Sequence, residues 1–335
     1  ASSPVARALP DAVRNVVISQ PAISGLTAFG IGAGLQRIGT ISLSTPAPAG
    51  GLPVLLKADT PNTVRFSTNS TTVGSDSLVV TVPAGVSSAG FILQVLDVPD
   101  DTISINASSP GWAPRNAVVQ IWRPVLDFPS IPTTSTTLSA DATVTVRVGS
   151  PSTPTGISIS TADARRAGAP PLPVTVVSSN GFVGRLVNST TVSDTVVVNI
   201  LASTSTSAAT VAGGGIAFRA LTSGTTVISA TAPNVRQSNE VIGSTVTVST
   251  PGITVAASTN VGSGLQTAAS LTLGANQHGG VQVIIKSSNP ALLKVARLAT
   301  DIASDSIIVS VANGSNSFSF SIAGMEDTSG VVTLT

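Results

Sequence analysis

The chain contains no cysteine and no tyrosine, and only one histidine and one methionine. Without cysteine there is no disulfide scaffold, no zinc–thiolate centre and no thiol nucleophile. Aromatic residues make up 3% of the chain and charged residues 9%, far under the ~25% charge of an ordinary globular protein. Sixteen Lys and Arg against fifteen Asp and Glu leave a net charge of +1, which cannot form the basic footprint of a nucleic-acid binder. Long apolar runs are missing too. No stretch approaches 18 consecutive apolar residues, so no transmembrane helix is expected. The first residues show no basic segment leading into an apolar run, so Ala1 fits either the residue left after signal-peptide removal or an arbitrary start. Low charge beside 42% apolar residues argues against disorder.

What fills the chain is hydroxyl and branched aliphatic. Ser and Thr together supply 88 of 335 residues, punctuated by 30 Gly and 22 Pro. Val, Thr and Ser between Gly and Pro breaks point to an all-β protein. Period-2 alternation marks strands at Thr40–Leu43, Val54–Lys57, Ser77–Val82, Phe91–Leu96, Thr102–Asn106 and Ala117–Ile121. No convincing amphipathic helix is present; Leu292–Ala299 has weak helical character, but its counterpart elsewhere reads as a strand. Short strands spaced by turn residues indicate sandwiches or barrels.

Internal repeats organise these strands. Gly32-Ala33-Gly34-Leu35-Gln36 matches Gly262-Ser263-Gly264-Leu265-Gln266, and Gly50-Gly51 matches Gly279-Gly280, 229 or 230 residues apart. Val54-Leu55-Leu56-Lys57 matches Val283-Ile284-Ile285-Lys286, and Ser75-Asp76-Ser77-Leu78-Val79-Val80 matches Ser304-Asp305-Ser306-Ile307-Ile308-Val309. A more divergent copy lies between, with Leu172-Pro173-Val174, Ser193-Asp194-Thr195 and Thr231-Ala232-Pro233. It carries insertions around Ala162–Pro171 and Ala202–Thr210. Copies one and two close alike: an apolar strand, a small-residue turn with Pro, a Val-rich strand and a Pro that opens the next copy. Copy three reaches Val331–Thr335 without that turn and final strand. They occur at the other end, where Ala1-Ser2-Ser3-Pro4 repeats Ala107-Ser108-Ser109-Pro110 and Asn15-Val16-Val17-Ile18-Ser19-Gln20-Pro21 supplies a Val-rich strand and its Pro. The sequence therefore reads as a cyclic permutation of three domains: 1–20 a donor segment, 21–123 and 124–250 complete, and 251–335 lacking its last strand.

These repeats resemble the tandem bacterial immunoglobulin-like domains of large surface and secreted proteins. The resemblance rests on Ser287-Ser288-Asn289-Pro290, with Ser178-Ser179-Asn180 in copy two. It rests also on Thr225-Thr226-Val227-Ile228-Ser229-Ala230 before a Pro turn and on the closing Thr245-Val246-Thr247-Val248. It implies three Ig-like β-sandwiches in tandem, an extracellular or cell-surface location, and the closing segments as adjacent strands. Such domains serve as spacers, adhesive tips and polymer subunits alike, so the fold names no function.

A sandwich without its last strand exposes an apolar groove and a row of open backbone groups. Filling that groove with residues ~11–20 of another copy is strand addition, and a head-to-tail contact of this kind propagates into a filament. The expected donor anchors are Val13, Val16, Val17 and Ile18, and the expected acceptor edge is Val331, Val332, Thr333, Leu334 and Thr335. The competing expectation is a window of a long covalent stalk that presents an adhesive tip elsewhere.

No recurrent constellation of His, Asp and Glu suggests an enzyme. His278 is the one residue a Ser-His-Asp triad could use, and it sits in the turn Asn276-Gln277-His278-Gly279-Gly280, where a solvated role is expected. Asp97-Val98-Pro99-Asp100-Asp101 and Glu326-Asp327 fall at matching turns but have no acidic counterpart in copy two, so polar turns are expected and no metal or cofactor. Gly30-Ile31-Gly32-Ala33-Gly34 lacks the Lys-Ser/Thr pair and the following helix of a phosphate loop and reads as a loop leading into a strand. Asn-x-Ser/Thr triplets at Asn69, Asn106, Asn188 and Asn313 are no more than chance supplies. Exposed Ser and Thr are candidate carriers of O-glycans. Trp112 and Trp122 are expected to pack rather than bind sugar, and Arg165-Arg166 to lie in a solvated loop.

Overall fold

The computed structural model describes residues 19–257 and 260–335. Among the described residues strands dominate and helix is confined to single turns, so the fold is all-β. The chain divides into two compact units, cut between Ile121 and Trp122. Of the donor segment expected at residues ~11–20, all but Ser19 and Gln20 lies outside the described residues.

In the first unit the strands are β1 (Ile23–Leu26), β2 (Phe29–Gly32), β3 (Leu35–Leu43), β4 (Leu52–Ala58) and β5 (Val64–Ser67), then β6 (Ser77–Val82), β7 (Ser88–Val95), β8 (Asp101–Ser108) and β9 (Arg115–Trp122). They form two sheets, ordered β1-β3-β7-β5 and β2-β9-β8-β4-β6. Alternation decides what each sheet buries: in β4 Leu52, Val54 and Leu56 point inward while Pro53, Leu55 and Lys57 face out. Ile103, Ile105 and Ala107 of β8 and Val119 and Ile121 of β9 are at most 2% exposed. Burying such side chains contributes roughly 1.5–3 kcal/mol apiece.

The second unit begins with β10 (Val125–Ser130), β11 (Thr134–Thr136), β12 (Ala142–Gly149), β13 (Ala164–Arg165), β14 (Leu172–Ser178), β15 (Gly184–Val187) and β16 (Val192–Ser193). There follow β17 (Thr195–Ile200), β18 (Ile216–Ala220), β19 (Gly224–Thr231), β20 (Arg236–Gln237), the one-turn helix α1 (Asn239–Ile242) and β21 (Ser244–Ser249). Their sheets run β16-β15-β18-β12-β10-β20 and β11-β21-β19-β14-β17. The same unit continues with β22 (Ile253–Ala257), β23 (Gln266–Leu273), β24 (Val281–Lys286), β25 (Leu293–Ala296), β26 (Ser306–Val311) and β27 (Ser317–Gly324). Here the sheets are β22-β23-β27-β25 and the two-stranded β24-β26. One cluster joins their inner faces, with Leu271, Val295, Phe320 and Ile322 from the first and Ile285, Val309 and Val311 from the second.

Several expectations shift in detail. The strand expected at Ser77–Val82 is β6 itself, whereas Phe91–Leu96 starts earlier, at Ser88 in β7. The weakly helical Leu292–Ala299 contains strand β25. Gly30, Ile31 and Gly32, read as loop, belong to β2, and the turn comes at Ala33-Gly34. Arg165 does not lie in a solvated loop: it is in β13, 5% exposed, with Nη2 donating to the Pro170 carbonyl at 3.1 Å. The matched glycine pairs have a physical basis, since Gly50, Gly51, Gly279 and Gly280 all have φ between 71° and 92°, the left-handed region that a side chain resists.

Candidate strand-acceptor edge

One hydrogen-bonded device recurs in three places. At the end of β4, the Asp59 N–H donates to the Ser104 carbonyl at 2.9 Å, and the Ser104 N–H returns to both Asp59 carboxylate oxygens at 3.1 Å. After β14, the Ser179 N–H donates to the Val227 carbonyl at 2.9 Å, and the Val227 N–H returns to Ser179 Oγ at 2.9 Å. After β24, the Ser288 N–H donates to the Thr333 carbonyl at 2.9 Å, and the Thr333 N–H returns to Ser288 Oγ at 2.9 Å. In each case a side-chain oxygen replaces the ladder carbonyl as the first strand bends away, and the pairing register is pinned. The next pair follows suit. Lys57 pairs with Asn106, Val177 with Ser229, and Lys286 exchanges backbone bonds with Thr335 at 2.8 and 3.0 Å.

Val331–Thr335 therefore stands beside β24 as β8 stands beside β4 and β19 beside β14. Its side chains alternate accordingly. Val332 and Leu334 pack against the core cluster, while Val331 is 95% exposed. The expected acceptor residues are thus together on one segment: Val332 and Leu334 inward, Val331, Thr333 and Thr335 outward.

The far edge differs from the other two cases. β8 is covered by β9 from Asp101↔Ile121 to Ala107↔Arg115, and β19 by β21 from Gly224↔Val248 to Ile228↔Ser244. Among the described residues no strand pairs with the far side of Val331–Thr335. Burial registers this: Ile103 and Ile105 of β8 are 2% and 0% exposed, whereas Val332 and Leu334 in the matching slots are only half-buried. The expected donor anchors Val13, Val16, Val17 and Ile18 lie outside the described residues.

The other sequence candidates have structural occupations. His278 is half-buried; its Nδ1 accepts the Gly280 N–H at 3.2 Å and its Nε2 donates to the Ser315 carbonyl at 2.8 Å. Both ring nitrogens are engaged by main chain, which leaves neither facing a substrate. The ring borders a cleft of about 260 Å³ with Leu138, Pro251, Ile253 and Val281. Asn69 and Asn188 cap equivalent turns after β5 and β15, each Oδ1 accepting the N–H groups two and three residues on at 2.8–3.1 Å. Trp112 and Trp122 are both half-buried. Among the described residues no group of three or more His, Cys, Asp or Glu gathers to hold a metal ion, and no helix is long and apolar enough to cross a membrane.

No protein-family model matches the chain, and no curated protein matches its sequence. Among solved structures it is similar to the C-terminal fragment of intimin in complex with the intimin-binding domain of its translocated receptor. That match has 11% identity, covers 70% of this chain and 66% of that one, and has a TM-score of 0.25. Domains 1–6 of the surface-layer protein SbsC match at 13% identity over 95% of this chain and 52% of that one, TM-score 0.22. Escherichia coli α2-macroglobulin activated by porcine elastase matches at 13% identity over 88% of this chain and 28% of its own length, TM-score 0.21. At such TM-scores the likeness bears on neither lineage nor activity.

Proposed function

We propose that this chain is a structural subunit of an extracellular bacterial filament or surface fibre, joined head to tail by β-strand complementation, and not an enzyme. The carrying observation is the segment Val331–Thr335, held on one side in the register of β8 and β19 and lacking a paired strand on the other among the described residues. Closing that edge returns Val332 and Leu334 to the burial their counterparts have, worth on the order of 1 kcal/mol each for half a side chain. It also pairs backbone groups that otherwise form a template for a strand from another chain. Residues 11–20 carry the sequence pattern of β9 and β21, the strands that occupy this place beside β8 and β19.

A contact between two different surfaces of identical copies does not close on itself, so it extends into a fibre. A low charge count suits the role, because copies that lie against one another repel weakly. The same reading places the protein outside the cell, with hydroxyl-rich outer faces that suit O-glycans.

Electron microscopy of the purified chain tests the proposal. Filaments are expected, and boiling in detergent is expected to release monomers at 33.1 kDa. A ladder of larger masses that survives boiling refutes non-covalent assembly in favour of a covalent stalk. Filaments that still form after deletion of residues 1–20 refute the donor role.

A further inference from the structure

From the pairing of β8 with β9 and of β19 with β21, we infer the register and facing of the inserted strand. Val16 and Ile18 point into the acceptor groove, and Val17 lies outside it, paired across the edge with Val331. This rests on the strand-complementation reading above and narrows its four anchors to two.

The strands that cover β8 and β19 each run into a proline, Pro124 and Pro251, and the donor segment runs into Pro21. Counting back from these prolines aligns Val16 with Val119 and Val246, Val17 with Gln120 and Thr247, and Ile18 with Ile121 and Val248. Val119, Val246, Ile121 and Val248 are all at most 2% exposed, whereas Gln120 and Thr247 are exposed. Because side chains on a strand alternate strictly, Val13 falls on the same outer face as Val17. Arg14 falls on the small-residue positions of Ala117 and Ser244, so the apolar insert is confined to Val16 and Ile18.

The acceptor sets the other half of the register. Val119 pairs with Ile103 and Gln120 with Thr102; Val246 pairs with Thr226 and Thr247 with Thr225. The shared clamp identifies Ile103 and Thr226 with Val332, and Thr102 and Thr225 with Val331. The inserted strand is therefore antiparallel to Val331–Thr335, with Val16 opposite Val332, Val17 opposite Val331 and Asn15 opposite Thr333. Val331, 95% exposed in the single chain, gains an apolar neighbour on the outer face.

The absence of cysteine makes the register readable by cross-linking. A chain carrying both Val17→Cys and Val331→Cys is mildly oxidised after assembly and run on a non-reducing denaturing gel. A ladder of covalent multimers is expected, at least ten times stronger than that from Val16→Cys with Val331→Cys. The reverse preference, with filaments still forming, overturns the register and leaves strand complementation standing. Failure of the unsubstituted chain to assemble overturns the complementation reading itself. An oxidised band confined to monomer mass overturns the pairing between copies. Folding is checked independently by single substitutions. Val16→Asp and Ile18→Asp are expected to abolish filaments while Val17→Asp retains them, and equal loss from all three overturns the assigned facing.

Discussion

A methyl group built on Gly39 would lie 2.3 Å from the Phe91 ring, which sits directly across the β3–β7 ladder. The corresponding ladder in residues 266–324 pairs Ala269 with Phe320, so there the ring has settled around a methyl. Gly39→Ala is therefore expected to destabilise the first unit by about 1–3 kcal/mol through overpacking. Ala269→Gly, the converse, is expected to cost about 0.5–1 kcal/mol through chain entropy. Denaturant midpoints, read with the slope unchanged, check both. A second residue-scale feature is the Asp127–Arg147 pair. Asp127 is 7% exposed and receives Nε at 3.0 Å and Nη2 at 2.5 Å from Arg147. The hydrogen bond to Asp127 raises the Arg147 guanidinium above the ordinary arginine range, against the opposing cost of burial. A raised cation stabilises fully below its unfolded pKa and is lost only above it, so this contribution is constant from about pH 6 to 10. Asp127→Asn is expected to cost about 2–3 kcal/mol, less than for a fully enclosed pair because Arg147 is a third exposed. Thermal melts across that pH range check it. Neither feature was legible in sequence, because each joins residues on different strands and no local spacing marks the partner.

Among elements, the clamp made by Asp59, Ser179 and Ser288 does the most to define the edge. Its sequence trace was half visible. Ser178-Ser179-Asn180 and Ser287-Ser288-Asn289 stood out as matching turns, but Asp59 did not, because the position asks for a short side-chain acceptor and not for serine. The same requirement sets the test. Ser288→Ala leaves the Thr333 N–H without its acceptor, and amide exchange at Thr333 is expected to quicken several-fold, matching a hydrogen bond worth about 1 kcal/mol. Ser288→Asp is expected to restore protection, because Asp59 performs the same task. Equal exchange in both variants refutes the clamp. Strand positions were legible where alternation was clean, as in β6, and blurred where small residues carried the ladder, as at Gly30 and Gly32 of β2. A glycine has no side chain to show which face it belongs to, so period-2 reading fails there.

For the whole chain, stability is expected to be lowest in residues 253–335. Among the described residues their second sheet is β24 and β26 with Val331–Thr335 bridged at its edge, where the corresponding sheets of residues 23–122 and 125–249 have five strands each. The sequence repeats raised the expectation of a third sandwich short of a strand, and the described strands differ in number in the same place. The burial of Val332 and Leu334 was not legible, because it depends on packing between strands and not on local spacing. Backbone amides of β24 and β26 are therefore expected to exchange sooner than those of β14 and β17, their counterparts in the five-stranded sheet. On the strand-complementation proposal, a synthetic peptide of residues 11–20 offers that edge a neighbour in trans. A ligand that binds only the folded state stabilises by about 2.7 kcal/mol at one hundred times its Kd. Titrating the peptide is accordingly expected to raise the melting of residues 253–335 and slow exchange in β24 and at Thr333. The strands of residues 23–122 are expected to remain unchanged. A peptide with Val16 and Ile18 both replaced by Asp is expected to do neither. Protection that appears equally with both peptides, or that spreads over both units, would show that the open edge of Val331–Thr335 does not recognise that strand.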